Sequence, residues 1–190
     1  VPFAPPQGYV VPRNGSIGPA DYGLIAWSID PASATAASAF VSGAGKTALL
    51  YVPYATPITN ILLEITTAGT SLTAGQSFAA LYNADGTTLL GQTVDQSTAF
   101  ASTGTKTMPL ATPYVMTAPG LVKVMFWSVF GGTAPQYARV GAVNASTAVF
   151  GRTSTPYRTS TANTGLTTTA PASMGAETTS SVAVPLVALS

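Results

Sequence analysis

Along most of this chain apolar and polar residues alternate, and no segment sustains the i, i+3, i+4, i+7 stripe of an amphipathic helix. Ile58 to Ile65 puts Ile61, Leu63 and Ile65 on one face and Asn60, Leu62 and Glu64 on the other, the period of two of a half-buried strand. Gln76 to Asn83 places Phe78, Ala80 and Tyr82 on one face, then meets Asn83-Ala84-Asp85-Gly86. The Asp-Gly pair there is a hairpin signal, with Thr87 to Thr93 as the returning strand. Ala118-Pro119-Gly120 reads as a turn feeding Leu121 to Phe130, the strongest strand pattern in the chain. Val122, Val124, Phe126 and Phe130 then face the core, and Lys123, Met125, Trp127 and Val129 face the other side. Lys46 to Tyr51, Tyr137 to Val143 and Val182 to Leu189 add shorter strands, and Tyr22 to Ile29 adds one that Asp30-Pro31 ends. Pro185 cannot donate a ladder bond, so the last strand is either an edge or interrupted. Ser33, Thr35 and Ser38 break the alanines of Ala32 to Ala39, leaving at most a short helical turn. The pattern predicts an all-β fold: an antiparallel β-sandwich, jelly-roll-like, of about seven to nine strands. Ile61, Leu63, Phe78, Val122, Val124 and Phe126 are its expected core.

Two stretches stand apart. Prolines at 2, 5, 6, 12, 19 and 31 deny backbone donors and fix φ, so residues 1–35 read as an extended, Pro-rich N-terminal arm. Phe3, Pro5, Pro6, Tyr9 and Val11 are its candidate anchors for docking onto a partner. Residues 36–190 then form the sandwich domain, interrupted by a long polar loop at about 152–179. Loops of that length are either functional or held by something.

Composition narrows the chemistry. The chain has seven basic and six acidic residues among 190, so charged residues make up 7% against roughly 25% in ordinary soluble domains. Thr, Ser, Ala and Gly take their place, as in a chain whose neighbours in an assembly cover its surface. With no histidine and no cysteine, the commonest general base, the commonest transition-metal ligand, thiol nucleophiles and disulfides are all missing. Arg13, Lys46, Lys106, Lys123, Arg139, Arg152 and Arg158 are scattered and form no stripe for nucleic acid. Leu121 to Phe130 contains Lys123 and is about half of the ~20 residues a membrane-crossing helix needs, so no membrane insertion is expected. Val1-Pro2-Phe3-Ala4-Pro5-Pro6 lacks the basic and apolar regions of a secretory signal. Such a chain is either used without that export route or has already lost its signal.

The remaining motifs resolve into local structure. Asp21, Asp30, Asp85, Asp95, Glu64 and Glu177 form no evident acid/base pair: Asp85 belongs to its turn, Asp30 precedes Pro31 and Glu64 sits on an outward strand face. Thr103-Gly104-Thr105-Lys106 has Thr where a Ser-x-x-Lys motif needs Ser, and it reads as a turn. Gly43-Ala44-Gly45-Lys46-Thr47 ends like a phosphate loop, but Phe40 stands where the first glycine is required. Asp95 with Gln96 and Ser97 falls short of a calcium ligand set. Trp127, Tyr137 and Tyr157 are candidate platforms for a sugar, although such aromatics more often belong to a core or an interface. No catalytic residue, metal site or cofactor is expected.

A longer stretch carries a family resemblance. It runs through Ile58-Thr59-Asn60-Ile61, Thr67 to Tyr82 (TAGTSLTAGQSFAALY), Asp85-Gly86, Leu89 to Thr93 (LLGQT), Asp95-Gln96 and Ser102 to Leu110 (STGTKTMPL). Asn163-Thr164-Gly165-Leu166 and the ending Val187-Ala188-Leu189-Ser190 follow. This resembles a β-sandwich module of minor tail and other virion-surface proteins from tailed bacteriophages of actinobacteria, over roughly residues 45 to 190. Relatives carry aromatics after the Ala/Pro-Gly turn and in the last strand, where this chain has Leu121-Val122-Lys123 and Val184-Pro185-Leu186. The resemblance implies a non-enzymatic structural protein of a virion surface: a minor tail, fibre or baseplate component, in contact with copies of itself, as in a trimer, and with other virion proteins. A host-surface glycan is a further implied contact. In that setting the Asn144-Ala145-Ser146 sequon goes unused, since the protein is made in bacteria. A capsid decoration or head-fibre protein is the alternative within the class, and a bacterial carbohydrate-binding or adhesin module lies outside it.

Overall fold

The computed structural model describes residues 17–141, 158–178 and 183–190. The period-two runs become strands of two six-stranded sheets packed face to face, all pairings antiparallel. Sheet A contains β1 (Ala26–Trp27), β2 (Ala36–Ala39), β4 (Pro57–Thr67), β7 (Gly104–Val115), β9 (Gln136–Arg139) and β12 (Val187–Leu189). Sheet B runs β11 (Glu177–Thr178), β10 (Thr161–Ala162), β3 (Gly45–Val52), β8 (Gly120–Phe130), β5 (Leu72–Asn83), β6 (Leu89–Gln92). Helix among the described residues is limited to 3-10 turns at Pro19–Tyr22 and Pro31–Ser33 and one turn, α1 (Ser97–Phe100).

The connections are nested. β3 pairs β8, β4 pairs β7 and β5 pairs β6, so the chain from Gly45 to Phe130 closes on itself in successive pairs. β4 is the hub of sheet A. One edge bonds β7, while the other is shared end to end by β12, opposite Ile61 to Leu63, and β9, from Ile65. Asp85 and Gly86 make the expected turn: Gly86 takes φ +77°, and the Asp85 carboxylate accepts from the Thr87 N–H and hydroxyl.

Between the sheets, Ile61, Leu63 and Ile65 meet Leu50, Val52, Ala79, Leu81, Val122, Val124 and Phe126, all at most 1% exposed. Phe40 packs its ring against Phe100, Phe126 and Tyr137 at centroid separations of 5.4 Å, and Phe126 meets Tyr137 at 5.0 Å. All six expected core residues are buried, but Phe78 belongs elsewhere. It points with Ala80 and Tyr82 to the outer side of sheet B, and Ala79 and Leu81 fill the core in their place.

Three expectations change and one open alternative is decided. The body of the fold reaches further towards the N-terminus than residue 35: β1 pairs β12, Ala26 lies in the core and Ile25 packs against it. Pro31 to Ser33 is a 3-10 turn capped by the Asp30 carboxylate, but Ala36 to Ala39 extends as a strand beside β9. The last strand is interrupted and not an edge: its ladder starts at Val187, past Pro185, between β1 and β4. β7 carries no strand pattern in the sequence because it is an outer strand with Pro109, Pro113 and many threonines, of which only Met108 and Leu110 are buried. Thr103-Gly104-Thr105-Lys106 therefore enters a strand, where Lys106 Nζ donates to Ser102 Oγ and the Thr103 carbonyl.

Candidate functional site

Each sheet has an outer face, and the two are finished differently. On sheet B, alternation places Phe78, Ala80 and Tyr82 of β5 beside Met125 and Trp127 of β8, all pointing away from the main core. Exposed to water, these side chains would form an apolar patch. Residues 163–176, part of the stretch expected as a long polar loop and running between the edge strands β10 and β11, lie across them as a strap. Ala162, Leu166 and Ala170 complete a second buried cluster, with Leu89 and Met174 at its margin.

The strap is polar in sequence because its backbone does much of the binding. Trp127 Nε1 donates to the Thr167 carbonyl at 3.0 Å, and the Tyr82 hydroxyl donates to the Pro171 carbonyl at 2.8 Å. Burial raises the Tyr82 phenol well above its ordinary value. Backbone bonds run from Leu166 N–H to Gly43 C=O and from Met174 N–H to Gly86 C=O. At Gly45 the approach leaves no room for a side chain: a Cβ would lie 2.5 Å from both the Ala162 carbonyl oxygen and Met125 Sδ.

One ion pair pins the strap's far end. Lys123, on the outer side of β8, is completely buried, and its Nζ donates to both Glu177 carboxylate oxygens at 2.8 and 2.9 Å. Ser160 Oγ donates to the same carboxylate at 2.7 Å and is hydrogen-bonded to Thr47 Oγ1 at 2.6 Å. Lysine is almost never fully buried unless paired, and here the pairing is bidentate.

The outer side of sheet A carries no such strap among the described residues. Leu62 of β4, Ala188 of β12 and Trp27 of β1 line an apolar groove of about 290 Å³ with Leu24 and Leu186. Its one charged lining residue is Glu64, whose carboxylate accepts from Thr105 Oγ1 at 2.6 Å. Tyr22, 62% exposed, stands at 6.0 Å from the Trp27 ring.

A second hollow of about 220 Å³ lies beside Phe40, Lys46, Tyr137 and Thr161. Burial, with Arg139 nearby, lowers the Lys46 ammonium to about 8. Burial raises the Tyr137 phenol to about 12, against the pull of a Ser38 hydrogen bond and of Arg139. The lining includes no carboxylate to relay a proton. Elsewhere, Asp95 is committed to local structure. Partial burial works to raise its carboxyl, but hydrogen bonds from the Ser97 hydroxyl and the Gly75, Ser77 and Ser97 N–H groups outweigh this and hold it below the usual range. The described residues contain no group of three or more metal-binding side chains, and no helix among them is long and apolar enough to cross a membrane.

Trp127 and Tyr137, two of the candidate sugar platforms, are 0% and 3% exposed and present no ring face. Tyr157 and the arm residues Phe3, Pro5, Pro6, Tyr9 and Val11 lie outside the described residues. The sequence reading missed the groove because its lining is gathered from four separate stretches of the chain. No protein-family model matches the chain, and neither does any curated protein.

Proposed function

We propose that this chain is a non-enzymatic structural protein on the surface of a tailed-phage particle, a component of the tail, fibre or baseplate. The observation that carries this reading is its nearly uncharged exterior. Among the described residues the charges classed as exposed are Asp21, Asp30, Asp85 and Arg158; the three aspartates are bonded to their own turns, and Arg158 donates to the Ser28 carbonyl. Lys123 and Glu177 neutralise each other inside the fold. A freely diffusing domain keeps a charged surface to stay in solution, whereas one fixed among neighbours does not need it. Val41, Tyr51 and Val115, each more than half exposed, are suited to contact with such neighbours. The resemblance over residues 45 to 190 supports the same setting, and the nested pairing of β3 to β8 suits a jelly-roll-like module.

Mass spectrometry of purified particles of the phage whose genome encodes the chain is expected to detect it, with immunogold label at the tail. Label on the head would favour the capsid-decoration alternative, and absence from the particle would overturn the reading. The adhesin alternative loses support with the burial of Trp127 and Tyr137.

A further inference from the structure

We propose that the groove on the outer side of sheet A receives the Pro-rich segment Pro2–Arg13 of a neighbouring copy. The inference rests on the assembly reading above, because only an assembly brings one copy's arm to another copy's groove.

The arm's sequence fits the groove in three respects. A polyproline II helix has three residues per turn, so Phe3, Pro6, Tyr9 and Pro12 fall on one side of it as a continuous apolar stripe. Grooves lined by aromatic and aliphatic side chains are the recurring receptor for such a segment, and its preset backbone limits the entropy lost on docking. Here Trp27, Leu24, Leu62 and Leu186 supply that lining, with Tyr22 alongside. Charge is also complementary: Arg13 is the only charged residue from Val1 to Ser16, and among the described residues Glu64 is the only charged one lining the groove.

Reach allows the segment to serve a neighbouring copy. If extended as polyproline II, sixteen residues would span roughly 50 Å at ~3.1 Å each, enough to cross to an adjacent domain. The chain's own path enters the described fold at Ile17, and Leu24, just beyond the Pro19–Tyr22 turn, is part of the groove lining.

The test uses purified protein and needs no particle. The full chain is expected to associate with rising concentration in sedimentation velocity, and a variant lacking residues 2–13 to stay monomeric with an unchanged melting temperature. A synthetic peptide of residues 1–14 should bind that truncated body in calorimetry. Glu64→Arg in the body should weaken binding at least tenfold, and an Arg13→Glu peptide should restore it. Leu62→Glu should abolish binding; if that variant does not fold, the surface pair Glu64 and Arg13 still decides. Peptide binding with a full chain that remains monomeric at every concentration would mean the arm serves its own groove and would overturn the proposal. So would no binding, or binding indifferent to Glu64→Arg. Absence of the chain from particles would defeat the virion reading while leaving the peptide result intact.

Discussion

Sheets A and B are built by the same alternation, yet their outer faces are finished in opposite ways. On sheet B, Phe78, Tyr82, Met125 and Trp127 point outward into a strap the chain supplies itself, and Trp127 is fully buried. On sheet A, Leu62, Trp27 and Leu186 line an open groove, and Trp27 remains only partly covered. The contrast separates two uses of an apolar face. One is spent on folding, because the cover is covalently attached and its ordering belongs to the same cooperative event. The other stands open, and under our proposal its cover is an association that depends on concentration.

Substituting the two tryptophans tests that contrast most directly. Trp127→Ala removes a ring enclosed on all sides and its bond to Thr167, and should lower unfolding free energy by about 3–5 kcal/mol. Trp27→Ala on the open face should change it by less than about 1 kcal/mol. Equal losses in urea denaturation would mean the two faces are equally part of the fold. The next effect in size concerns the pin. Glu177→Gln strands a buried ammonium and should cost about 3 kcal/mol, while Lys123→Met with Glu177→Gln should recover most of that. If the double variant were as unstable as the single one, the strap would be held by packing and the pair would not be its pin.

The smallest effect is a pH dependence at the end of β3. Folded Lys46 titrates near 8, below its ordinary value of 10.5, so between those values the unfolded chain holds more protons. Stability should therefore rise with pH across that window, by about 1 kcal/mol or less once solvent screening is allowed for. Lys46→Met should flatten the rise relative to the parent protein. An unchanged slope would show that Lys46 is no less solvated than in the unfolded chain.

How much of this was readable beforehand depended on whether the signal was local. The face of β4, the Asp85-Gly86 turn and the core side of β8 were legible because neighbouring residues in the chain carry them. The outward set of Lys123, Met125 and Trp127 was also legible, but not its dryness. That depends on residues some forty to fifty positions later, whose sequence is polar because carbonyls at Thr167 and Pro171 are what the sheet needs from them. β7 escaped notice for a related reason: an outer strand with two prolines has few apolar positions to show. The groove was the least legible feature, since no single segment contains more than two of its principal lining residues.

The prolines of β7 have another consequence. A sheet with free edges is a template for adding further strands, and crowding many copies together makes that hazard acute. Here β1, β2, β6 and β11 at the margins are only two to four residues long. The one long outer strand, β7, lacks backbone donors at Pro109 and Pro113, shifts register against β4 and meets β6 through the Thr93–Leu110 bridge. Addition of further strands through the backbone is thereby disfavoured at these margins. Such margins separate a sheet of fixed width from one that grows by accretion.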